Sequence, residues 1–364
     1  MKILYLIDTL YNSGGMERVL SEKANYLVKH YGYEIIIATT HQKGRKEFFP
    51  LDARIKREDL GVNTHLPFTM PCYLKRLKGL LQKESPDILI SLCSKELKHF
   101  DKIDFEGIKM AEFHFSYESL RIRGKNRELK NLQKAVAGLD AFVTLTQEDK
   151  MLWAPYAPQI YQIYNPSTYD GETQSAALEN PICISGGRFE KQKNYADMVK
   201  AWAYVHKKHP DWQLSLYGNG RKKKEIATLV KELGLESAIR IYPATSQIKD
   251  KMLDSSLYLM TSLYEGLPLT LIESCSLGLP AISYNCPCGP SEIIENGQSG
   301  YLIPQGDIEG LAEKICYLIE NNDLRKEMGR KAKEKAALFR KERIMEQWHQ
   351  LFEQLYKTKM EGRK

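Results

Sequence analysis

Short apolar runs rich in β-branched residues alternate with longer amphipathic stretches along most of this chain, and that rhythm constrains its fold more than any other feature. Residues 3–7, 34–39, 87–92, 109–113 and 141–145 read as strands, with helical patterns between them. Parallel strands need long crossovers and a helix supplies one, so this alternation implies a parallel sheet. The rhythm stops over residues 166–181, where polar and turn-forming residues replace large apolar ones, as in a linker between domains. It restarts with runs at 182–185, 213–217, 239–242, 257–260, 281–284 and 301–303. The expected class is α/β: two Rossmann-like, doubly wound parallel-sheet domains, one over 1–165 and one over 182–340. The last stretch, 341–364, has the pattern of an amphipathic helix, expected to pack back toward the N-terminal domain. Doubly wound sheets bind ligands beyond the carboxyl ends of their strands, so two of them facing each other imply one deep cleft.

A length of 364 residues fits two cores better than one. No apolar run approaches the roughly 20 residues of a spanning helix. The apolar start, MKILYLID, is short and lacks a small-residue cleavage site, so it reads as a buried first strand of a cytoplasmic protein. Seven scattered cysteines, an odd number that includes Cys93, imply reduced thiols, and Cys286-Pro-Cys288 lacks the partners of a zinc site. The net charge of +7 is spread along the chain, which argues against nucleic acid as a partner.

The richest segment for chemistry runs from Glu265 through Gly266, Leu267, Pro268, Leu269 and Thr270 to Glu273. Pro268 suits a first helical position, and the amides of Leu269 and Thr270 would then point out of the helix start toward a phosphate. Leu269 to Glu273 is roughly 6 Å of helix rise, so a carboxylate flanks the phosphate position on each side. Carboxylates accept hydrogen bonds from hydroxyls, and a nucleotide sugar carries hydroxyls on both sides of its diphosphate. Near the start, Gly14 and Gly15 follow a strand and precede a helix, where the lack of Cβ lets backbone amides approach a phosphate or sugar. Arg188 and Lys193 lie just after the first strand of the second domain, and His114 ends a strand of the first. Glu112 shares a face with His114 by alternation but is not expected to join it.

These pieces stand in a familiar order. The Glu265/Glu273 pair around Gly-Leu-Pro resembles the signature of the family 4 (group 1) retaining glycosyltransferases of GT-B fold. Asn12-Ser13-Gly14-Gly15 resembles that family's N-terminal glycine loop, and Ser185 to Asn194 its phosphate-binding stretch. Tyr217-Gly218-Asn219-Gly220 and Gly297 to Pro304 also match. The resemblance implies that Glu265 binds donor-sugar hydroxyls, Glu273 the ribose, and Arg188 and Lys193 the diphosphate. It implies His114 close to the reacting sugar, Gly218 at the nucleotide, and Tyr242, Pro243 and Ala244 at the base through backbone contacts. Cys288 to Glu292 resembles a loop of the bacterial branch that uses UDP-sugars.

The implied reaction is transfer of a hexose or N-acetylhexosamine, with retention, to a glycan or lipid-linked acceptor. The nucleotide sugar is a co-substrate, and no cofactor is expected. With no Asp-x-Asp motif to hold a cation, Arg188, Lys193 and the helix start would neutralise the departing phosphate in its place. A nucleotide-sugar epimerase or hydrolase of the same fold, and a non-catalytic partner protein, remain open. The basic amphipathic helix with Lys75, Arg76 and Lys78 is compatible with peripheral contact with an anionic membrane, and equally with an ordinary surface helix. A second basic stretch, Arg121, Arg123, Lys125, Arg127, Lys130 and Lys134, suits lipid headgroups or an anionic acceptor, or simply solvent.

Overall fold

The structure, a computed structural model, describes residues 1–92 and 94–362; Cys93 lies outside the described residues. The chain divides into two compact units, Met1–Asn165 with Glu342–Lys364, and Pro166–Lys341.

In the first unit, strands β1 (Lys2–Ile7), β2 (Glu34–Thr39), β3 (Lys56–Asp59), β4 (Ile88–Ser91), β5 (Ile108–Phe113), β6 (Ala141–Thr144) and β7 (Ile160–Gln162) form one sheet, ordered β3-β2-β1-β4-β5-β6-β7. Every pairing is parallel. Parallel sheets are covered on both faces, which is why the central strands read as unbroken apolar runs. On one face Ile3, Tyr5 and Ile7 pack with Leu20, Leu27, Trp348 and Phe352; on the other Leu4 and Leu6 pack with Tyr73, Leu77 and Trp153. The C-terminal helix Lys341–Glu361 therefore supplies core residues to the first unit.

The second unit holds β8 (Ile182–Gly186), β9 (Gln213–Tyr217), β10 (Ile239–Tyr242), β11 (Leu257–Met260), β12 (Ala281–Tyr284) and β13 (Gly300–Ile303), again all parallel, ordered β10-β9-β8-β11-β12-β13. In both sheets the winding reverses once, between β1 and β4 and between β8 and β11. Loops leaving the strands at such a reversal splay apart and open a crevice.

Residues 166–181, expected as a linker, belong to the second unit. The Ala176 amide donates to the Leu277 carbonyl, and buried Arg325 donates to the Leu178 carbonyl at 3.0 Å. No helix among the described residues is long and apolar enough to cross a membrane. Cys72, Cys183, Cys275 and Cys316 are free thiols.

Candidate active site

The second unit gathers its candidate residues at the reversal between β8 and β11. After β8 the chain turns through Gly187 and Arg188, and Lys191–Lys193 forms one 3-10 turn closed by Asn194 in the left-handed region. The Thr261 hydroxyl, just past β11, donates to the Lys193 and Asn194 carbonyls at 3.2 and 2.9 Å, and the Leu263 amide donates to the Gln192 carbonyl. These bonds lock the loop after β8 to the loop after β11. They bring Lys193 Nζ within 2.8 Å of Glu265 Oε1, while Gln192 Nε2 donates to the Tyr264 carbonyl at 2.9 Å and reaches Glu265 Oε2 at 3.4 Å.

Glu265 is only 7% exposed. Its amide meets the Pro287 carbonyl, and a Cβ on Gly289 would strike Pro268 and the Gly266 carbonyl. The 286–290 loop is thus built against the Gly-Leu-Pro segment. Leu267 and Pro268 are buried and serve this packing. Pro268 stands one residue earlier than expected: it caps the helix Leu269–Ser276 from outside, in an extended conformation. The Leu271 and Ile272 amides both return to the Pro268 carbonyl. The Leu269 and Thr270 amides, being first-turn donors, have no carbonyl within the helix to bond. Glu273, further along this helix, is buried. Glu265 and Glu273 share a neighbour in Tyr258. Burial pushes its phenol well above the ordinary value, hydrogen bonds to Thr270 and Gly186 oppose this, and both carboxylates add to it.

Arg188 is exposed and, among the described residues, unpaired; Glu190 beside it forms its ion pair with Arg221. Gly218 has a packing reason to be glycine, since a Cβ there would collide with the Gly187 carbonyl. Tyr242, Pro243 and Ala244 are exposed beyond β10, and the Tyr242 ring stacks on Tyr217 at 4.7 Å and 17°. Among the described residues no three His, Cys, Asp or Glu side chains are grouped as a metal would need.

The first unit gathers a separate cluster. Gly14, extended, caps the helix Gly15–Tyr31, and the Glu17 carboxylate occupies the space a Cβ on Gly14 would take. Burial pushes Glu17 above its ordinary value, opposed by its own amide, by Asn12 and by attraction to His114. Glu112, placed on one face with His114 by alternation but not expected to join it, does join it: Oε1 lies 3.2 Å from His114 Nε2. The strand ends at Phe113, and His114 just beyond it keeps the face of Glu112, two residues back, so the two side chains meet. Behind Glu112 stands Lys23, 0% exposed, whose ammonium bonds the same carboxylate and sits 3.9 Å from the Trp348 ring centre and 5.2 Å from that of Tyr5. Burial pushes Glu112 up, but Lys23 and His114 more than reverse this and hold it at about 2. Burial draws Lys23 below its usual value and Glu112 restores only part of that. The two shifts pull the pair in opposite directions. We take the ionised pair as the native state, because the Lys23 ammonium bonds the Glu112 carboxylate directly.

Sequence reasoning missed Glu17, Lys23, Gln192 and Tyr258, and it set Glu112 apart from His114. Glu17 and Gln192 sit inside recognisable motifs; Lys23 and Tyr258 announce themselves only through tertiary contacts.

Comparison with known proteins identifies the family and the fold. Residues 172–335 match the family model described as glycosyl transferases group 1. An uncharacterized glycosyltransferase of Haemophilus influenzae is 30% identical over 355 residues, covering 95% of this chain and 98% of that one. The amylovoran biosynthesis glycosyltransferase AmsD of Erwinia amylovora is 27% identical over 370 residues, covering 96% and 99%. A variant of S. aureus TarM, solved with Fondaparinux, alpha-GlcNAc-glycerol and UDP, aligns with a TM-score of 0.84 at 17% identity over 96% of this chain and 99% of that one, a likeness of GT-B fold.

Proposed function

The chain belongs to the group 1 glycosyl transferases, and from that membership we propose that it moves a hexose or N-acetylhexosamine from a UDP-sugar to a glycan or lipid-linked acceptor of bacterial surface polysaccharide synthesis. Transfer proceeds with retention and without a metal. The observation that carries this reading is the Lys193–Glu265 pair at 2.8 Å beside the open first-turn amides of Leu269 and Thr270.

Departure of UDP leaves negative charge on the β-phosphate. Lys193, Arg188 and the helix start are fixed positive groups that need no reorganisation as this charge appears. Glu265, held in place by its contact with Lys193, accepts hydrogen bonds from donor-sugar hydroxyls, and Glu273 from the ribose. The acceptor hydroxyl attacks from the side the phosphate leaves, and the phosphate oxygen takes its proton. This accounts for retention with no separate protein base. The Tyr217–Tyr242 stack offers an aromatic edge beside the base position beyond β10. The UDP and alpha-GlcNAc-glycerol of the TarM complex, and the amylovoran pathway of AmsD, support the donor and the product class.

Calorimetry with UDP, GDP, ADP and their sugars in EDTA tests the reading. One nucleotide family is expected to bind without metal, with binding lost in Glu273→Ala and Arg188→Ala. No binding to any would remove the donor site, and donor consumption without an acceptor would turn the reading to an epimerase or hydrolase.

Membrane contact is part of the same proposal. Leu66 is 57% exposed, and Phe68 is 97% exposed with φ at +61°, a conformation that costs a bulky residue energy. Both precede the helix Met70–Glu84, whose Lys75 and Lys78 are exposed. Phe68→Ser with Lys75→Gln and Lys78→Gln is expected to weaken binding to phosphatidylglycerol vesicles about tenfold or more in a sedimentation assay, at about 1 kcal/mol per lysine. Unchanged sedimentation would remove the membrane from the proposal.

A further inference from the structure

The helix Asn126–Val136 stands on the outside of the first sheet with a cavity on each flank. One, of about 460 Å³, lies between the helix and the 98–102 segment; the other, of about 710 Å³, lies between the helix and Tyr156. Asn131 and Lys134 line both and form the ridge between them. Arg127, Lys130 and Lys134 fall at i, i+3 and i+7, one face of the helix. Lys98 and Lys102 stand on the facing wall of the smaller cavity, where Asp101 is the one carboxylate.

The neighbouring acids are already engaged. Glu128 holds Lys125 at 2.6 Å, and Glu118 holds Arg121 at 3.1 Å. Among the described residues Arg127, Lys130, Lys134, Lys98 and Lys102 have no ion-pair partner. Burial, with Lys98 and Lys102 adding to it and Asp101 opposing, holds His99 below its ordinary value.

We propose that this helix and its two flanking cavities bind an anionic glycan, one that carries phosphodiester or carboxylate groups along its length. The occupant follows from the chemistry of the surface. A membrane would require exposed apolar side chains, and the exposed positions on this helix are Asn126, Arg127, Lys130, Asn131 and Lys134. A single-stranded nucleic acid would require a row of exposed aromatic platforms, and of the aromatic side chains that line these cavities Phe100 is buried, which leaves the Tyr156 and His99 rings on separate flanks. Cations interleaved with asparagine amides, in concavities on both flanks of one helix, suit a chain that alternates charged groups with hydroxyls. The direction of the surface has a further meaning. β5 and β6 are parallel neighbours, so the helix that connects them runs back against the strands. Its N-terminal end stands at the sheet edge where His114 sits, and Arg127 to Lys134 spans about 10 Å away from it. On the proposed function, to which this addition is tied, the bound glycan is the acceptor.

Titration of the full chain with oligogalacturonate and with a glycerol-phosphate oligomer, against a neutral malto-oligosaccharide of equal length, tests the proposal. One or both anionic oligomers should bind, more weakly as salt is raised, and the neutral one should not. Arg127→Gln/Lys130→Gln/Lys134→Gln should weaken that binding about tenfold or more, and Lys98→Gln/Lys102→Gln on the opposite wall should also weaken it, while UDP binding stays unchanged. Absence of anionic binding, equal binding of the neutral oligomer, or full affinity in the triple variant overturns the proposal. So does a triple variant that loses only phosphatidylglycerol vesicles or only RNA. A wild type that fails to bind UDP would sink the donor-site reading and leave this result standing on its own.

Discussion

Lys23→Met should destabilise the first unit by about 3–5 kcal/mol, the range typical of breaking a buried ion pair from one side. The substitution leaves Glu112 buried with His114 Nε2, 3.2 Å away, as its remaining partner in the cluster and removes the ammonium from the Trp348 ring. At about 2–4 °C per kcal/mol for a body of this size, the melting temperature should fall by roughly 10 °C. Lys23→Met with Glu112→Leu should recover part of that loss, because no buried charge is then left alone. Full recovery is not expected, since His114 loses its acceptor. The pH dependence has a definite sign. Glu112 sits at about 2, below its ordinary 4.5, so its contribution is complete above 4.5 and drains away as pH falls toward 2. Melting curves across that window should show an acid-sensitive step in the wild type that Glu112→Gln lacks. If Lys23→Met melts with the wild type, Lys23 and Glu112 are buried as neutral groups and the ionised pair is ruled out.

Lys193→Ala and Arg188→Ala should each lower turnover by about 10²–10³, the effect of removing one fixed group that meets developing oxyanion charge. The two differ in what else they do. Lys193 is the partner of a buried carboxylate, so its loss leaves Glu265 uncompensated and should also reduce thermal stability. Arg188 is exposed and makes no ion pair among the described residues, so its removal should leave melting unchanged while turnover falls. Arg188→Lys should restore only part of the rate, since an ammonium lacks the planar fork that grips two phosphate oxygens. The measurement is nucleotide release from the donor in EDTA. Turnover within about threefold of wild type in both variants would show that these cations do not stabilise the leaving group. Rescue of either variant by added Mg²⁺ would show that a metal can take the same place.

The strands buried on both faces were legible because burial leaves an apolar run in the sequence, and 3–7, 257–260 and 281–284 all became strands within a residue. β3 was not legible. Its residues Lys56, Arg57, Glu58 and Asp59 carry no apolar signal, and the strand exists because the free edge of β2 offers it a backbone partner. The packing of residues 166–181 was not legible either: few apolar side chains are enough to pin a segment when Leu178 is buried and its carbonyl accepts from Arg325. At the site, motif resemblance singled out Lys193 and Glu265 for separate tasks, and their ion pair across 72 residues came only from the structure. Nor was the pairing of Lys23 with Glu112 legible. A lysine in an amphipathic helix reads as solvated, and its partner lies 89 residues away, so only packing reveals that the side chain points inward.

The return of the C-terminal helix to the first unit has a consequence during synthesis. Residues 1–165 leave the ribosome first, yet Trp348, Leu351 and Phe352 complete their core. At bacterial elongation speeds the wait is on the order of ten to thirty seconds. Throughout it Tyr5, Leu20 and Leu27 lack their cover and Lys23 lacks its aromatic lid. The second unit, contiguous in the chain, has its whole sequence first. The domain made first is thus the one finished last, and the nascent chain must be shielded from aggregation on that uncovered face until its final turns of helix arrive.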